Sequence, residues 1–328
     1  MLIVSRAEIR ELLDLEALID TLAAALADLS AGRASMPQRI AALVPEREAL
    51  LAAMPGYVPS RGALVAKLVT LFPLNAQTET PTHQAVIVVF DPHTGAAEAL
   101  LDGTEITAAR TAACSALSVK LLAREDASVL AVLGTGVQAR WHARAVAAVR
   151  RLDEIRVAGR DLHKAQMLAE ELADELPVPV RVLAGYREAL KDAGLVCTTT
   201  HALEPIVRRA WLARGVHVAS VGYNPAGREL DDETVIDALV CVESRRAALA
   251  PTPAGSNDLV QPISEGKIST DHVHAELGEL VLGTKPGRTS AKQITLYKSV
   301  GVAVQDAAAA ALVLAAARAA GAGREVEV

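Results

Sequence analysis

The feature that most constrains the fold is a glycine-rich turn placed between an apolar strand and a helix. The run SVLAVL (128–133) leads directly into GTGVQA (134–139), and a helical pattern follows. Gly134 permits a tight turn, Gly136 lets the backbone approach a pyrophosphate, and Ala139 keeps the helix close to the strand. The arrangement predicts a dinucleotide-binding βαβ unit, in which the amides at the start of the helix face the anion.

The chain beyond this turn continues to alternate strands with helices. A second strand pattern, EIRVAG (154–159), precedes a helix that runs to about Leu172, and three further β-rich runs follow: VRVLA, GLVCTTT and VHVASVG. Alternating βα units are typical of a doubly wound parallel sheet with helices on both faces. We therefore predict an α/β fold whose Rossmann-type sheet has six strands and is complete by about residue 300.

The N-terminal third has a different pattern. Apolar residues recur at helical spacing from Arg6 to Ala31, and β-rich runs follow at 62–71 and 84–90. The turn DPHTG (91–95) joins the second run to the next one as a hairpin. We predict a second, α+β domain with antiparallel strands.

The last part of the chain, 302–320, is a helical pattern that we expect to return to this first domain. The predicted domains are therefore residues 1–117 with 304–328, for substrate binding and dimerisation, and residues 118–303, for NAD(P) binding.

Composition excludes several classes of protein. The 328 residues are 51% hydrophobic and carry a net charge of −6, so there is no basic excess to hold nucleic acid. Charge appears within the first six residues, so no signal peptide is predicted, and the alanine-rich stretch 307–320 contains Arg318 and is too short to span a membrane. We expect a soluble, cytoplasmic protein.

The cysteines and histidines give no sign of a metal site. Cys114, Cys197 and Cys241 are far apart, lie among apolar or small residues, and form no CxxC pair. We predict buried thiols and no bound metal.

Coenzyme choice depends on the end of the second strand, which reads Gly159-Arg160-Asp161. A carboxylate at this place usually holds the ribose diol of NAD, whereas a small residue followed by Arg accommodates the 2′-phosphate of NADP. Gly159-Arg160 favours NADP. Asp161 lies one residue further and leaves NAD open.

Six linked segments resemble the ornithine cyclodeaminase/μ-crystallin family. They occur in the family's order and cover nearly the whole chain, which makes them far more specific than the glycine turn alone. The segments are THQ (82–84), LLDGTEITAARTAA (100–113), GTGVQA (134–139), SVGYNPAGRELDDE (220–233), HAELGELVLG (274–283) and LYKSVGVAVQD (296–306).

The resemblance implies a substrate site on the first domain. Arg39, Lys67 and Arg110 match the residues that hold the substrate carboxylate and its amino or imino group. An arginine offers a planar fork to a carboxylate, and a lysine whose pKa is depressed by neighbouring cations can act as an acid toward nitrogen. We expect Lys67 to be catalytic, and we add Asn224 and Val300 to the substrate-binding residues.

The resemblance also implies which residues bind the coenzyme and how the chain assembles. We assign His83 to coenzyme contact and not to proton transfer, and Lys298 and Glu276 to structural roles. A homodimer or larger assembly is expected, formed through the first domain, whose sheet edges need covering. The residues expected to bind the coenzyme are Thr82, His83, Thr111, Gly134, Thr135, Gly136, Val137, Gln138, Arg160, Asp161, Thr198, Val221, Arg228 and Ser299.

One departure from the family pattern bears on the reaction. Where cyclodeaminases carry an Asp that acts on the substrate amine and on water, this chain has Asn224, which cannot take a proton at neutral pH. We therefore predict NAD(P)H-dependent reduction of a small imino acid, such as iminosuccinate or Δ1-pyrroline-2-carboxylate, or the reverse amino acid dehydrogenation. Two alternatives remain: an ornithine cyclodeaminase, and a non-catalytic μ-crystallin-like protein that binds NADP and a ligand.

Overall fold

The computed structural model describes residues 1–327 and divides into two compact units. Unit 1 consists of Met1–Arg110 together with the chain from Gly301 onward, and unit 2 of Thr111–Val300. The predicted borders lay near residues 117 and 303. The difference arises because one continuous helix, Gly103–Leu122, runs across the first border.

Within residues 1–327 the chain forms fifteen strands and eleven α-helices. The strands are β1 Leu2–Val4, β2 Ile40–Val44, β3 Ala49–Val58, β4 Ala63–Leu71, β5 His83–Phe90, β6 Ala97–Asp102, β7 Val129–Leu133, β8 Glu154–Ala158, β9 Val180–Val182, β10 Leu195–Thr198, β11 His217–Ser220, β12 Leu239–Val242, β13 Val273–Glu276, β14 Thr295–Lys298 and β15 Arg324–Glu325. The helices are α1 Arg6–Leu12, α2 Leu15–Ser30, α3 Gly103–Leu122, α4 Val137–Val149, α5 Leu162–Glu175, α6 Tyr186–Leu190, α7 Asp232–Asp237, α8 Arg245–Ala248, α9 Asn257–Ser264, α10 Leu277–Val281 and α11 Ala303–Ala320.

Unit 1 has an α+β fold built on one sheet. Within residues 1–327 this sheet has seven strands in the order β15-β1-β6-β5-β4-β3-β2. All neighbours are antiparallel except β1 and β6, which are parallel. The predicted β5–β6 hairpin is confirmed, and Gly95 takes the positive φ of 76° that closes its turn.

The single helix predicted from Arg6 to Ala31 is wrong. The chain forms two helices, α1 and α2, separated at Leu13 and Asp14. The Asp14 carboxylate accepts a hydrogen bond from the Ala17 amide at 2.8 Å and caps α2. Apolar spacing continues through the break, which is why periodicity alone did not reveal it.

The expectation that the alanine-rich tail is too short to cross a membrane is also wrong. Helix α11 is 18 residues long and apolar enough, by length and composition, to do so. In the structure, however, 61% of it is buried inside the protein, and it packs on α2, β3 and β4. Its apolar composition is therefore that of a core helix.

Unit 2 is a doubly wound, parallel α/β domain. Among the described residues its sheet has eight strands in the order β13-β12-β14-β11-β10-β7-β8-β9, and every neighbouring pair is parallel. The stretch from β9 to β14 has the Rossmann order 3-2-1-4-5-6. The predicted count of six was too low because β12 and β13 lie between β11 and β14 in sequence and extend the sheet beyond β14. The carboxyl ends of these strands carry most of the residues predicted to bind a coenzyme.

Candidate active site

Unit 1 contains a buried ion pair between Lys67 and Asp306. Alternate residues of β4 face the core, and Lys67 occupies one of these inward positions with only 2% of its surface exposed. Its Nζ lies 2.8 Å from Oδ2 of Asp306, which is fully buried in the first turn of α11. A lysine at an inward strand position needs such a partner, because a buried unpaired charge is strongly unfavourable.

Arg110 binds the same turn of α11. Its Nε lies 3.0 Å from Oδ1 of Asp306, and its Nη1 donates to Oε1 of Gln305 at 2.7 Å. The Gln305 oxygen also accepts the Val302 amide at 3.1 Å, which anchors the start of the helix. Asp306 therefore joins two cations that come from different elements, β4 and α3.

Arg39 reaches this cluster through Gly301. Its Nη2 donates to the Gly301 carbonyl at 2.7 Å. Gly301 has a φ of +71°, and a Cβ at that position would lie 2.9 Å from the Arg110 guanidinium. The positive φ favours glycine here, and a Cβ would displace the end of the Arg110 side chain. The structure brings together the three cations predicted to bind substrate, namely Arg39, Lys67 and Arg110.

The charges in this cluster shift its titrating groups. Burial lowers the pKa of Lys67 to about 8; Arg110 and Arg39 lower it as well, while Asp306 opposes the shift. Burial on its own would raise the pKa of Asp306, but Arg110 and Lys67 hold it below its usual value. A lysine with a pKa near 8 can both donate and accept a proton near neutral pH.

His83 lies at the start of β5, in the field of the same cations. Burial, followed by the charges of Lys67 and Arg110, lowers the pKa of His83 to about 4. The ring is therefore neutral at pH 7, which disfavours it as a proton donor. The neighbouring Thr82 carbonyl accepts the Phe72 amide at 2.8 Å.

In unit 2 the glycine turn after β7 has the shape that a dinucleotide phosphate requires. Gly134 has a φ of +128° and packs on Thr199, so its glycine is explained by the fold. Gly136 is different, because nothing lies within 4 Å of the place a Cβ would occupy. The start of α4 has no side-chain cap, and the buried Oε1 of Gln138 has no hydrogen-bond partner among the described residues. Open space and uncapped amides fit a pyrophosphate group, whereas the orphaned Gln138 oxygen needs a hydrogen-bond donor, such as a ribose hydroxyl.

At the end of β8, packing explains why residue 159 is a glycine. A Cβ there would lie 2.6 Å from Cγ2 of Thr135, so packing on the glycine turn itself requires a small residue. Asp161 accepts the Lys164 amide at 3.1 Å and caps α5. Arg160 is exposed beside Tyr186, where its charge counteracts the raising of the Tyr186 pKa by burial. Arg160 and Asp161 are both exposed, but the Asp161 carboxylate is engaged as the cap of α5.

At the ends of β10 and β14, two hydroxyls predicted to line the coenzyme donate to buried carboxylates. Thr198 Oγ1 donates to Glu229 at 2.5 Å, and Ser299 Oγ donates to Glu243 at 2.5 Å. The Val300 amide also points to Glu243, at 3.4 Å. These hydroxyls orient strand ends, and a contact with the coenzyme would have to use their free lone pairs or neighbouring backbone.

The loop after β11 is held by Asn224. Its Nδ2 donates to the His201 carbonyl at 3.0 Å, and its Oδ1 accepts the Ala226 amide at 2.9 Å. Arg228, further along the loop, forms an ion pair with Asp232. Both ends of the Asn224 amide are therefore engaged with the protein, and the substrate contact of Asn224 stays a prediction.

The other predicted positions are distributed between the two units. Val221 donates its amide to the Thr198 carbonyl at 3.0 Å, and Thr111 is buried in α3. Val137 is exposed at the start of α4. The three cysteines are buried thiols, as predicted, and among residues 1–327 no group of three His, Cys, Asp or Glu side chains is arranged to hold a metal.

Two acidic residues at these sites were not identified from the sequence. Asp306 is the one acidic residue of a largely apolar helix, and that isolation was a signal that could have been used. Glu229 follows Arg228 in an acidic run, REL-DDE, and looks there like a surface residue, although it is buried.

Comparison with known proteins places this geometry in a family. The model of the ornithine cyclodeaminase/mu-crystallin family matches residues 1–321. The Δ1-pyrroline-2-carboxylate reductase of Bacillus cereus (strain ATCC 10987) is 36% identical over 93% of each chain, and the ketimine reductase mu-crystallin of Mus musculus is 38% identical over 90% of each.

A solved structure agrees over the whole chain. The Δ1-pyrroline-2-carboxylate reductase of Thermococcus litoralis, in complex with NADH and L-proline, superposes with a TM-score of 0.95 at 37% identity, covering 99% of this chain and 100% of that one. Together with the full-length match of the family model, this shows that the chain belongs to the ornithine cyclodeaminase/mu-crystallin family.

Proposed function

We propose that this chain is an NAD(P)H-dependent reductase of small imino acids, working on the C=N bond of a ketimine. The observation that carries the proposal is the buried Lys67, whose pKa of about 8 is set by burial, Asp306 and two arginines. A carboxylate-bearing imine needs both an anion site and a proton donor to nitrogen. The unit 1 cluster contains both.

The roles follow from the chemistry of the side chains. Arg39 and Arg110 bind the substrate carboxylate, because the cluster has three cations and one carboxylate and so attracts an anion. Lys67 donates a proton to the imine nitrogen and becomes a neutral amine. Asp306 keeps the Nζ atom of Lys67 in place. NAD(P)H, when bound, supplies the hydride that the imine carbon accepts. One hydride and one proton convert the C=N bond to CH–NH.

The coenzyme is held by unit 2. The amides at the start of α4 and the open space at Gly136 receive the pyrophosphate, and a ribose hydroxyl of the coenzyme is a donor that Gln138 Oε1 can accept from. The relative from Thermococcus litoralis was solved with NADH. For this chain either coenzyme fits, and the exposed Arg160 favours NADPH.

The substrate class is that of a cyclic ketimine. Two relatives are named for Δ1-pyrroline-2-carboxylate and one for ketimines in general, and the solved complex contains L-proline. We therefore place Δ1-pyrroline-2-carboxylate and its six-membered homologue ahead of iminosuccinate. The direction is reduction, because a lysine that is still largely protonated at neutral pH is ready to give a proton.

The test is a panel of substrates followed at the absorbance of the reduced coenzyme. Oxidation of NAD(P)H by Δ1-pyrroline-2-carboxylate supports the proposal, and oxidation only by iminosuccinate changes the substrate. Ammonia release from ornithine without net coenzyme change would support a cyclodeaminase. Tight coenzyme binding without turnover of any imine would support a binding protein.

We also propose a homodimer formed through unit 1, in the cytoplasm. One cross-strand row on the outer face of the unit 1 sheet runs from Ile40 through Ala53 and Leu68 to Val86. Ile40 is 71% exposed, Leu68 38% and Val86 40%. Three exposed apolar side chains in one cross-strand row, which begins on the edge strand β2, are typical of a surface that a second copy covers.

A further inference from the structure

Glu229 is a buried carboxylate that gathers hydrogen bonds from two strand ends. Its Oε2 accepts from Thr198 Oγ1, Ser220 Oγ and the Gly222 amide, at 2.5, 2.9 and 2.9 Å. Its Oε1 accepts the amide and the hydroxyl of Thr200, at 2.7 and 2.8 Å. Every partner is a donor, so the carboxylate ties the chain leaving β10 to the chain leaving β11.

The backbone around Glu229 is shaped to admit it. A Cβ on Gly222 would overlap the Glu229 carboxyl group, so that position requires glycine. The Glu229 amide is itself fixed by the Asp258 carboxylate at 2.9 Å. Asp258 is paired with the buried Lys298, whose Nζ also binds Ser220 Oγ at 3.0 Å and the Gly222 carbonyl at 2.9 Å. The loop at 220–222 is therefore held from two sides.

The topology of the sheet says which part of a dinucleotide these strand ends serve. The pyrophosphate turn follows β7, and the order β9-β8-β7-β10-β11 places β8 on one side and β10 on the other. In a Rossmann domain the residue at the end of the second strand meets the adenosine ribose, here Arg160 or Asp161 beside β8. The ends of β10 and β11, on the opposite side of the turn, are left for the nicotinamide half.

We propose that Glu229 is a positioning residue for the nicotinamide half of the coenzyme. It acts through the Thr200 and Gly222 backbone and contributes nothing to the adenosine half. The inference deepens the proposed function and rests on it, since it presumes that unit 2 binds a dinucleotide. Fixing two loops at once lets the nicotinamide be held without reorganisation of the protein.

The test is Glu229→Gln, which keeps the size of the side chain. One backbone amide points at each Glu229 oxygen, so either orientation of the glutamine amide sets its NH2 against a donor, that of Thr200 or of Gly222. The coenzyme used is NADH or NADPH, whichever the wild type binds better. Calorimetric titration compares its affinity with that of the matching fragment without nicotinamide, ADP-ribose for NADH or 2′-phospho-ADP-ribose for NADPH. We expect the dinucleotide to bind about tenfold more weakly and the fragment to bind as in the wild type.

The matched control is Glu154→Gln. Glu154 is another carboxylate of unit 2 that accepts hydrogen bonds, in its case from Arg156 and Arg181. Because it lies at the amino end of β8, the affinities for the dinucleotide and for the fragment should both stay at the wild-type values. If Glu229→Gln does not fold, Thr200→Val removes one hydroxyl donor and leaves the carboxylate, and a smaller loss of the same selectivity is expected.

Equal losses for dinucleotide and fragment would overturn the inference, because they would show that Glu229 maintains the whole unit. No loss for either would overturn it as well. A wild type that binds the fragment and the dinucleotide equally would show that these strand ends do not meet the nicotinamide. A wild type that binds neither would instead refute the proposed function on which the inference rests.

Discussion

The ammonium of Lys67 lies 2.8 Å from the carboxylate of Asp306, and neither side chain is more than 2% exposed. Such a pair is costly to bury, and removing one member leaves a charge that must find another partner. Here Arg110 shares the same carboxylate, so Asp306 keeps a cation when Lys67 is replaced. The lysine can therefore be tested without leaving an isolated buried charge.

Replacing Lys67 with Met should remove most of kcat and leave coenzyme affinity unchanged. The methionine fills the same space but has no proton to give, and general acid catalysis is typically worth about two to four orders of magnitude. Steady-state kinetics and a coenzyme titration measure the two quantities. The exposed Lys191→Met serves as control. A Lys67→Met enzyme within roughly threefold of the wild type would rule out the proposed role.

The pH profile of reduction should have an alkaline limb near pH 8. The protonated lysine is the active form and the pKa of Lys67 is about 8, so kcat/KM should fall above that pH. The Asp306 charge raises the pKa of Lys67, so Asp306→Asn should move the limb to lower pH. Asp28→Asn, which alters another buried carboxylate of unit 1, should leave it in place. An unmoved limb in Asp306→Asn would assign the titration to another group.

Arg160→Ala should weaken NADPH by about tenfold and NADH hardly at all, because only NADPH has the 2′-phosphate that a guanidinium can bind. Binding titrations with both coenzymes measure this, and the exposed Arg187→Ala is the control. Equal losses, or a wild type that ignores NADPH, would move the ribose contact to Asp161. That carboxylate would then serve the Lys164 amide and the ribose together.

Leu68→Glu should produce a monomer. The substitution puts a charge at the centre of the exposed apolar row on the unit 1 sheet, where a partner copy would bury it without a counter-ion. Sedimentation velocity measures the change. Leu282→Glu changes a comparably exposed leucine of unit 2 and should leave the assembly intact. A wild type that sediments as a monomer would refute the proposed homodimer.

Stability should fall as the pH drops below 6.5, because two buried histidines and the half-buried His83 are held as neutral rings. The pKa of His83 and of His142 is lowered to about 4, and that of His217 to about 3, in each case first by burial. Below pH 6.5 the unfolded chain binds protons that the folded chain does not, so the free energy of unfolding declines by about 1.4 kcal/mol per pH unit for each such histidine.

Urea unfolding at pH 7, 6 and 5 measures that decline. His217→Gln should make the decline shallower, because it removes one of the titrating rings. Ser118 and Thr295 can still hydrogen-bond the new amide, so the variant should fold. The exposed His163→Gln should leave the slope unchanged. A wild type with no loss between pH 6.5 and 5 would show that these rings reach solvent.

Local patterns predicted the parts of the fold that local forces determine. The turn at 134–139, the helix that follows it and the β5–β6 hairpin depend on neighbours a few residues away, and they occur where the sequence placed them. The break at Asp14 was missed because a cap can interrupt a helix without disturbing the apolar period. The strands β12 and β13 were missed because their place beside β14 depends on pairing across the sheet.

The candidate site was predictable only in part, for the same reason. The resemblance named Arg39, Lys67 and Arg110, and the structure gathers them at Gly301 and Asp306. Asp306 could have been recognised from its isolation in a largely apolar helix, whereas Glu229 acquires its role from hydrogen-bond partners that only the fold brings together. Gly159 shows the reverse case: its position suggested a ligand, whereas contact with Thr135 already accounts for it.

The discontinuity of unit 1 also dictates an order of events during synthesis. Unit 2 is one uninterrupted segment, so it can fold as soon as it leaves the ribosome. Lys67 and Arg110 are made early, but their acceptors Gln305 and Asp306 arrive with α11, after all of unit 2. Until then the sheet of unit 1 has no helix α11 on its inner face, and its cations remain in water. The cluster of Arg39, Lys67, Arg110 and Asp306 is therefore among the last parts of the nascent chain to form.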